Sequence, residues 1–407
     1  MPSFTAELQW IESQHAGMRD LLIRWSLINS GSHNLPGLAR QLEELEHAFA
    51  PLGGQAQRRT LAPQTVVNKW GQVTIQPLGE ALLIAKRPHA PHQVLLGIHM
   101  DTVYGVDHPF QTVTRIDKDR LVGPGVADAK GGLVVMLTAL TALERSPFAQ
   151  QLGWQVFINP DEELGSPGSD VLLRHYATQC DLGLLYEPAL PDGKLIAARK
   201  GSGNFTVVVR GRAAHAGRDF EHGRNAVTAL AQIVTDMNAL SATRPGLTVN
   251  IANVRGGGPS NIVPDLAIAR FNVRLWRPDD QQYVESELAR IVDKANQREG
   301  FTAQLHGSFT APPKPFDPAT SRLLDIIARC GRELDIPVQW QDSGGVCDGN
   351  RLAAAGLPTV DTLGVVGGAI HSSHEYVQLS SLTQRARLSA GLLLKLAAQE
   401  VDWPAKA

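Results

Sequence analysis

Three cysteines in 407 residues, Cys180, Cys330 and Cys347, are too few and too widely spaced for a disulfide framework or a C-x-x-C metal knuckle. A reducing compartment, the cytoplasm, is the expected location. Charge of one sign is also lacking: 38 Lys and Arg stand against 40 Asp and Glu, for a formal net charge of -2. Without a basic excess there is no broad field for nucleic acid or an anionic membrane surface. No apolar run approaches the roughly 20 residues a membrane helix takes; the longest, Leu133 to Leu143, contains threonines and reads as a buried helix. The opening MPSFTAELQWIESQ carries acids and no basic segment ahead of an apolar core, so it does not read as a secretory signal. Fixed-period repeats and low-complexity tracts are missing too.

What is present is the composition of an ordinary globular chain, 43% hydrophobic and 19% charged, at a length that calls for roughly two domains. Apolar stripes at helical spacing (Trp10, Met18, Leu21, Leu22 and Trp25, then Leu38, Leu42, Leu45 and Phe49) predict two opening helices. Strand-like runs follow at Thr65 to Trp70, Val73 to Gln76, Ala81 to Lys86 and Val94 to Ile98, and their alternation with the helix at Leu133 to Leu143 points to an α/β sheet. From about Ala198 the pattern changes. Strand GNFTVVVRGR, helix Asn225 to Leu240, strands Leu247 to Val254 and Ala267 to Trp276, helix Tyr283 to Ala295 and strand Phe301 to Leu305 give the β-α-β-β-α-β order of a ferredoxin-like unit. The proline-rich TAPPKPFDP then leads back to helix Ser321 to Leu334, strand Thr359 to Leu363 and a final helix Leu382 to Ala398. The expected organisation is a discontinuous catalytic domain, 1–198 and 311–407, with an inserted domain at 199–310.

Four separate apolar runs each end at a potential metal ligand. LLGIHMD reaches His99, WQVFINPDEE reaches Glu162 and Glu163, LGLLYEP reaches Glu187, and LPTVDTLG leads towards IHSSHE with His371 and His374. Carboxylates and imidazoles gathered past the carboxyl ends of buried strands suit a hard-to-borderline cation. Asp128, in GPGVADAKGG, is a fifth candidate, as bridging carboxylate or as helix N-cap. In HMD the two-residue spacing puts His99 and Asp101 on one side of an extended segment, where Asp101 can orient the ring. The acid run Asp161, Glu162 and Glu163 is either a solvated loop or a set of buried acids that cations must neutralise. In the second case one Glu can ligate while its neighbour takes a proton from water. In the inserted segment, His215 in GRAAHAG, Asn261 in SNIVP and Arg274 in RFNVR could touch substrate oxygens, or be a loop histidine, a turn asparagine and a surface arginine.

The order HMD, GPGVADAKGG, DEELGSPGS, YEP, GRAAHAG, SNIVP and HSSHE, spread over about residues 90 to 380, resembles the glutamate carboxypeptidase family of di-zinc peptidases and deacylases. That family includes acetylornithine deacetylase, succinyl-diaminopimelate desuccinylase, aminoacylase and peptidase T. The resemblance implies a zinc-peptidase-like α/β domain with a central mixed sheet flanked by helices, and an inserted ferredoxin-like lid or dimerisation domain. It implies two zinc ions per subunit, replaceable by cobalt or manganese, with His99 and Glu187 on one, Glu163 and His371 on the other and Asp128 between them. Glu162 becomes the general acid and base, Asp101 the group that orients His99, and His215 the oxyanion partner, which in the family often reaches across a homodimer and here acts either in that way or within its own chain. Asn261 and Arg274 take the place of the pair that holds a terminal carboxylate. His371 is preferred to His374 by the H-x-x-x-E spacing to Glu375, and the peptide after Asp128 is typically cis. Cys347 stands where serine is expected and is not assigned as a nucleophile.

The expected activity is release of a C-terminal amino acid, glutamate, from a small peptide or N-acyl substrate. Glu187 and Arg274 motivate it. The alternatives are an N-acyl-amino-acid deacylase with the same chemistry and a catalytically silent binding protein on the same fold. A serine hydrolase is disfavoured, since no G-x-S-x-G stands on a strand-to-helix turn.

Overall fold

Strand Gln93–His99, buried at every position, runs through the middle of a six-stranded sheet in a computed structural model that describes residues 4–404. The strands lie in the order Gln55–Thr60, Glu80–Lys86, Gly153–Asn159, Gln93–His99, Leu182–Leu185 and Thr359–Val360. The last four are mutually parallel, whereas Glu80–Lys86 pairs antiparallel with both its neighbours. Parallel strands covered on both faces read as continuous apolar runs, and Gly153–Asn159 is likewise buried throughout. Successive side chains go to opposite faces. Val94, Leu96 and Ile98, with Trp154, Val156 and Ile158, join helices Thr5–Ser13, His15–Ser26, Leu35–Phe49, Lys130–Arg145, Pro318–Glu333 and Ser380–Ala397 in the larger core. Leu95 and Phe157 point the other way, to Leu173 and Tyr176 of helix Asp170–Gln179 and to Leu352.

A second sheet has the order Thr248–Gly256, Leu266–Leu275, Gly201–Arg210, Thr302–Ala311, all antiparallel. Phe205, Val207 and Val209 alternate inward to meet helices Ala226–Asn238 and Asp279–Asn296 in a hydrophobic cluster of their own. The chain enters and leaves this unit at one place, where Arg199 and Lys314 exchange backbone hydrogen bonds of 2.9 and 3.0 Å. A hairpin, Gln64–Val67 with Val73–Gln76, lies against the second sheet: Arg270 Nη2 donates to Val67 O at 2.8 Å and Arg210 Nη2 to Gly71 O at 3.1 Å.

The opening stripe is not one helix. Ser13 Oγ donates back to Trp10 O at 2.6 Å and Gln14 N to Ile11 O at 3.0 Å, and that tightened turn divides Thr5–Ser13 from His15–Ser26, giving three opening helices. The run Thr65 to Trp70 is strand only to Val67, because Asn68 Oδ1 accepts from Trp70 N and Gln72 N and closes a turn. Strand Thr359 to Leu363 stops at Val360, where Asp361 is taken up by cations. Conversely, Thr302–Ala311 runs well past Leu305 as the outer partner of Gly201–Arg210. No helix among the described residues is long and apolar enough to cross a membrane. Residues 1–3 and 405–407, the outer ends of the expected catalytic segments, lie outside the described residues.

Candidate active site

The carboxyl ends of the parallel strands converge on one point. His99 is the last residue of its strand and pairs in register with Asn159, so the acids two to four residues beyond Asn159 emerge beside it. Glu187 emerges just past the neighbouring strand Leu182–Leu185. Asp128 precedes helix Lys130–Arg145, which packs so tightly on this edge that a Cβ on Gly132 would stand 2.0 Å from Tyr186 O. Only glycine allows that approach.

His99 Nε2 is 3.1 Å from Asp128 Oδ1 and 3.8 Å from Glu187 Oε2, while its Nδ1 is 2.9 Å from the carbonyl oxygen of Asp101 and 3.4 Å from its carboxylate. His371 Nε2 is 3.2 Å from Asp128 Oδ2 and 3.1 Å from Glu163 Oε2. Asp128 thus turns one oxygen to each imidazole. Ligand atoms of His99, Asp128 and Glu163 all lie within 4.8 Å of one another. His374 makes no such contact; its backbone N–H donates to Ser372 Oγ.

The electrostatics are those of acids that need a cation. Burial pushes the Glu162 carboxyl well above its usual range, raises Glu163, and moves Glu187 up to about 8. Burial opposes ionisation of Asp128 as well, but hydrogen bonds from His371 and His99 hold it below the carboxylate range. Those contacts with Asp128 and Glu163 lift the half-exposed His371 to about 11. His99 faces acceptors at both ring nitrogens, and a neutral imidazole has one N–H to offer. Either a proton or a metal ion must satisfy the other side.

Positioning contacts surround this cluster. Asp101 does more than face His99: its carboxylate accepts the backbone N–H groups of Glu162 and Glu163, each at 3.2 Å, and the Ser32 hydroxyl at 2.7 Å. Its main hydrogen bond to the ring is made by its carbonyl, because the carboxylate is occupied by that turn. Glu375 Oε1 accepts from Ala127 N and Asp128 N at 2.9 and 3.0 Å, and Oε2 from Gly125 N at 3.1 Å and from Tyr104 Oη at 2.8 Å. The Asp128–Ala129 peptide is cis. Asp161 stays out of the cluster, accepting from Gly168 N and Ser169 N.

A cleft of about 360 Å³ opens over Asp128, Glu162, Glu163, Glu187 and His371, with Arg199, Arg274 and Arg351 also on its wall. Arg274 reaches it from the second sheet. Cys347 is on the wall as well, but burial pushes its thiol well above the usual value, which opposes a nucleophilic role. His215 and Asn261 are elsewhere: both are exposed, His215 pairs with Ile262 on a two-residue ladder beside the second sheet, Asn261 just precedes that ladder and accepts from Ala216 N, and neither lines the cleft. Ser32, Tyr104, Arg199, Lys314 and Asp361 carried no motif that pointed to them. For Arg199 the available signal was a cation, in AARKG, ending a buried strand.

A family model described as peptidase family M20/M25/M40 matches residues 95–395. Carboxypeptidase G2 of Pseudomonas sp. (strain RS-16) is 30% identical over 310 residues, 75% of this chain and 74% of that protein. A succinyl-diaminopimelate desuccinylase of Alkalilimnicola ehrlichii is 28% identical over 309 residues, 71% of this chain and 78% of that one. Among solved structures, an M20 family metallo-carboxypeptidase, Sso-CP2 from Sulfolobus solfataricus, superposes with a TM-score of 0.71 over 92% of this chain and 98% of its own, at 17% identity. At that identity the likeness concerns the fold.

Proposed function

The chain belongs to peptidase family M20/M25/M40, hydrolases of amide bonds, and from that premise we propose that it is a two-zinc carboxypeptidase releasing C-terminal glutamate from peptidyl or N-acyl substrates. The observation that carries the reading is Asp128, whose two oxygens face His99 and His371 at 3.1 and 3.2 Å. The donor set fits two divalent cations: His99 and Glu187 for one, His371 and Glu163 for the other, Asp128 shared, in a pocket where buried carboxylates outnumber the imidazoles. Zinc bound there supplies Lewis-acid polarisation of the scissile carbonyl and lowers the pKa of bound water to roughly 7.

The remaining work falls to the chain's own side chains. Glu162, raised by burial and on the cleft wall, takes a proton from the attacking water and passes it to the amide nitrogen as the C–N bond breaks. Asp101 fixes Glu162 through its backbone N–H, so the shuttle is held by the same carboxylate that flanks His99. Arg274 holds the terminal carboxylate with its planar fork. His215 and Asn261, away from their own cleft, serve the oxyanion and substrate of a second copy in a homodimer formed through the inserted domain, which acts as lid.

Release of glutamate from a peptidyl- or N-acyl-glutamate, lost on chelation and restored by zinc, is the test. Hydrolysis confined to acetyl-ornithine or succinyl-diaminopimelate would move the protein to the deacylase branch instead.

A further inference from the structure

The three guanidinium groups on the cleft wall differ in what neutralises them. Arg351 is matched by Asp348 at 3.0 Å and Asp170 at 3.1 Å. Arg274 pairs with no carboxylate among the described residues; it donates to Asn272 Oδ1 at 2.8 Å and to Gly344 O at 3.3 Å. Arg199 grips Asp361 through Nε and Nη2, both at 2.9 Å, yet Asp361 also accepts from Lys314 Nζ at 2.8 Å. Asp361 and Lys314 are fully buried and the Arg199 side chain is 8% exposed. Two cations share the one carboxylate within ion-pair distance; the next acid acting on Arg199 is Glu187, assigned above to a cation, so with that cation bound a positive charge is left over in a place where unbalanced charge is costly.

A purely structural role covers part of this. Arg199 and Lys314 pair by backbone where the chain crosses between the two units, and their hold on Asp361 ties that crossing to the edge strand Thr359–Val360. An anchor of that kind needs one cation for one carboxylate. It calls neither for the second cation nor for spare donors at the cleft. Of the five N–H groups of a guanidinium, two of Arg199's serve Asp361 and a third makes only a 3.3 Å contact to Gly345 O. Arg274 makes the same 3.3 Å contact to the adjacent carbonyl, Gly344 O. Each guanidinium is anchored elsewhere, Arg199 by Asp361 and Arg274 by Asn272, and turns its Nη1 to a neutral oxygen of one glycine pair at 3.3 Å, a weak partner that a carboxylate displaces.

We infer that the Arg199–Asp361–Lys314 cluster reads the side chain of the released residue and requires it to be a carboxylate, an inference that rests on the carboxypeptidase reading above. Arg274 takes one carboxylate of a dicarboxylic amino acid and Arg199 the other. Asp361 fixes the Arg199 fork, and Lys314 keeps the cluster positive when that anion is counted.

The test uses the zinc-loaded full chain and three N-acyl dipeptides that differ only in ending on glutamate, glutamine or methionine. Glutamate is expected to exceed glutamine by about 100-fold in kcat/KM, chiefly through KM. Arg199→Gln is expected to bring the ratio near one by slowing the glutamate substrate alone, whereas loss of a structural anchor would slow all three together. Lys314→Met leaves the Arg199 fork and removes the surplus charge, so it lowers the ratio partway and gives an independent reading if Arg199→Gln does not fold. A wild-type ratio near one, or a ratio unchanged in a folded variant, overturns the inference and leaves the carboxypeptidase reading standing. Failure to release any of the three residues overturns both.

Discussion

Glu375 Oε1 accepts the backbone N–H of Asp128 at 3.0 Å across 247 residues of sequence. Because Glu375 also takes the N–H groups of Gly125 and Ala127, the loop that presents Asp128 is shaped from the opposite end of the chain. Glu375→Ala is expected to lower zinc affinity by about 10- to 100-fold, as loss of a partner behind a ligand does elsewhere. Competition with a chromophoric chelator measures it; unchanged affinity would show that the loop holds its shape unaided.

Glu162→Gln keeps the side chain's volume and removes its proton transfer. The expected loss in kcat is about 10²- to 10⁴-fold with zinc content unchanged. Mixing this variant with His215→Ala should restore activity above either alone if His215 serves a second copy, since one hybrid site then has both groups intact. Activity of the mixture no higher than its components would place His215 outside catalysis or in its own subunit.

Metal binding should release protons at pH 7. His371, held up to about 11 by Asp128 and Glu163, and Glu187, raised to about 8 by burial, both carry a proton in the metal-free protein. A bound cation displaces them, so affinity rises with pH and falls as the medium is acidified. Calorimetric titration in two buffers of unlike ionisation enthalpy reports the count. Equal heats in both buffers would mean that no proton leaves.

Lys130 is buried beneath the site and donates to Trp25 O at 2.9 Å and Ile28 O at 2.6 Å, at the carboxyl end of helix His15–Ser26. Burial pushes it down to about 7 from an ordinary value of 10.5. Between those values the unfolded chain binds the proton more fully than the folded one, so this residue makes stability rise with pH across that window. Lys130→Met is expected to abolish the rise and to cost about 1–3 kcal/mol for the carbonyls it leaves unpaired. Urea midpoints from pH 7 to above 9 decide it; parallel slopes for the two proteins would refute the assignment.

Buried strands such as Val94 to Ile98 were legible because both faces are covered and the run is continuously apolar, and the residue types just past them marked the carboxyl edge. Strand Gln55–Thr60 was invisible for the opposite reason: QAQRRT lies at the sheet edge, exposed almost throughout, with no alternation to read. The second sheet announced itself through β-rich runs bounded by glycine or proline, such as GNFTVVVRG and the stretch in which Phe271, Val273 and Leu275 alternate with polar residues. Contacts across long separations left no local trace. Ser32 on Asp101, Tyr104 on Glu375 and Lys314 on Asp361 are single polar residues in unremarkable surroundings, brought to the site by topology alone. The sequence pattern also put Asn261 beside Arg274 without indicating that, like His215, it stands apart from the cleft of its own chain.

The central claim is that His99, Asp128, Glu163, Glu187 and His371 together hold two divalent cations. Elemental analysis of chelator-stripped protein reloaded with zinc, alongside Asp128→Ala, tests it most directly. Two zinc ions per chain in the parent and a loss in the variant are predicted; one ion or none in the parent, or two retained without Asp128, would contradict it.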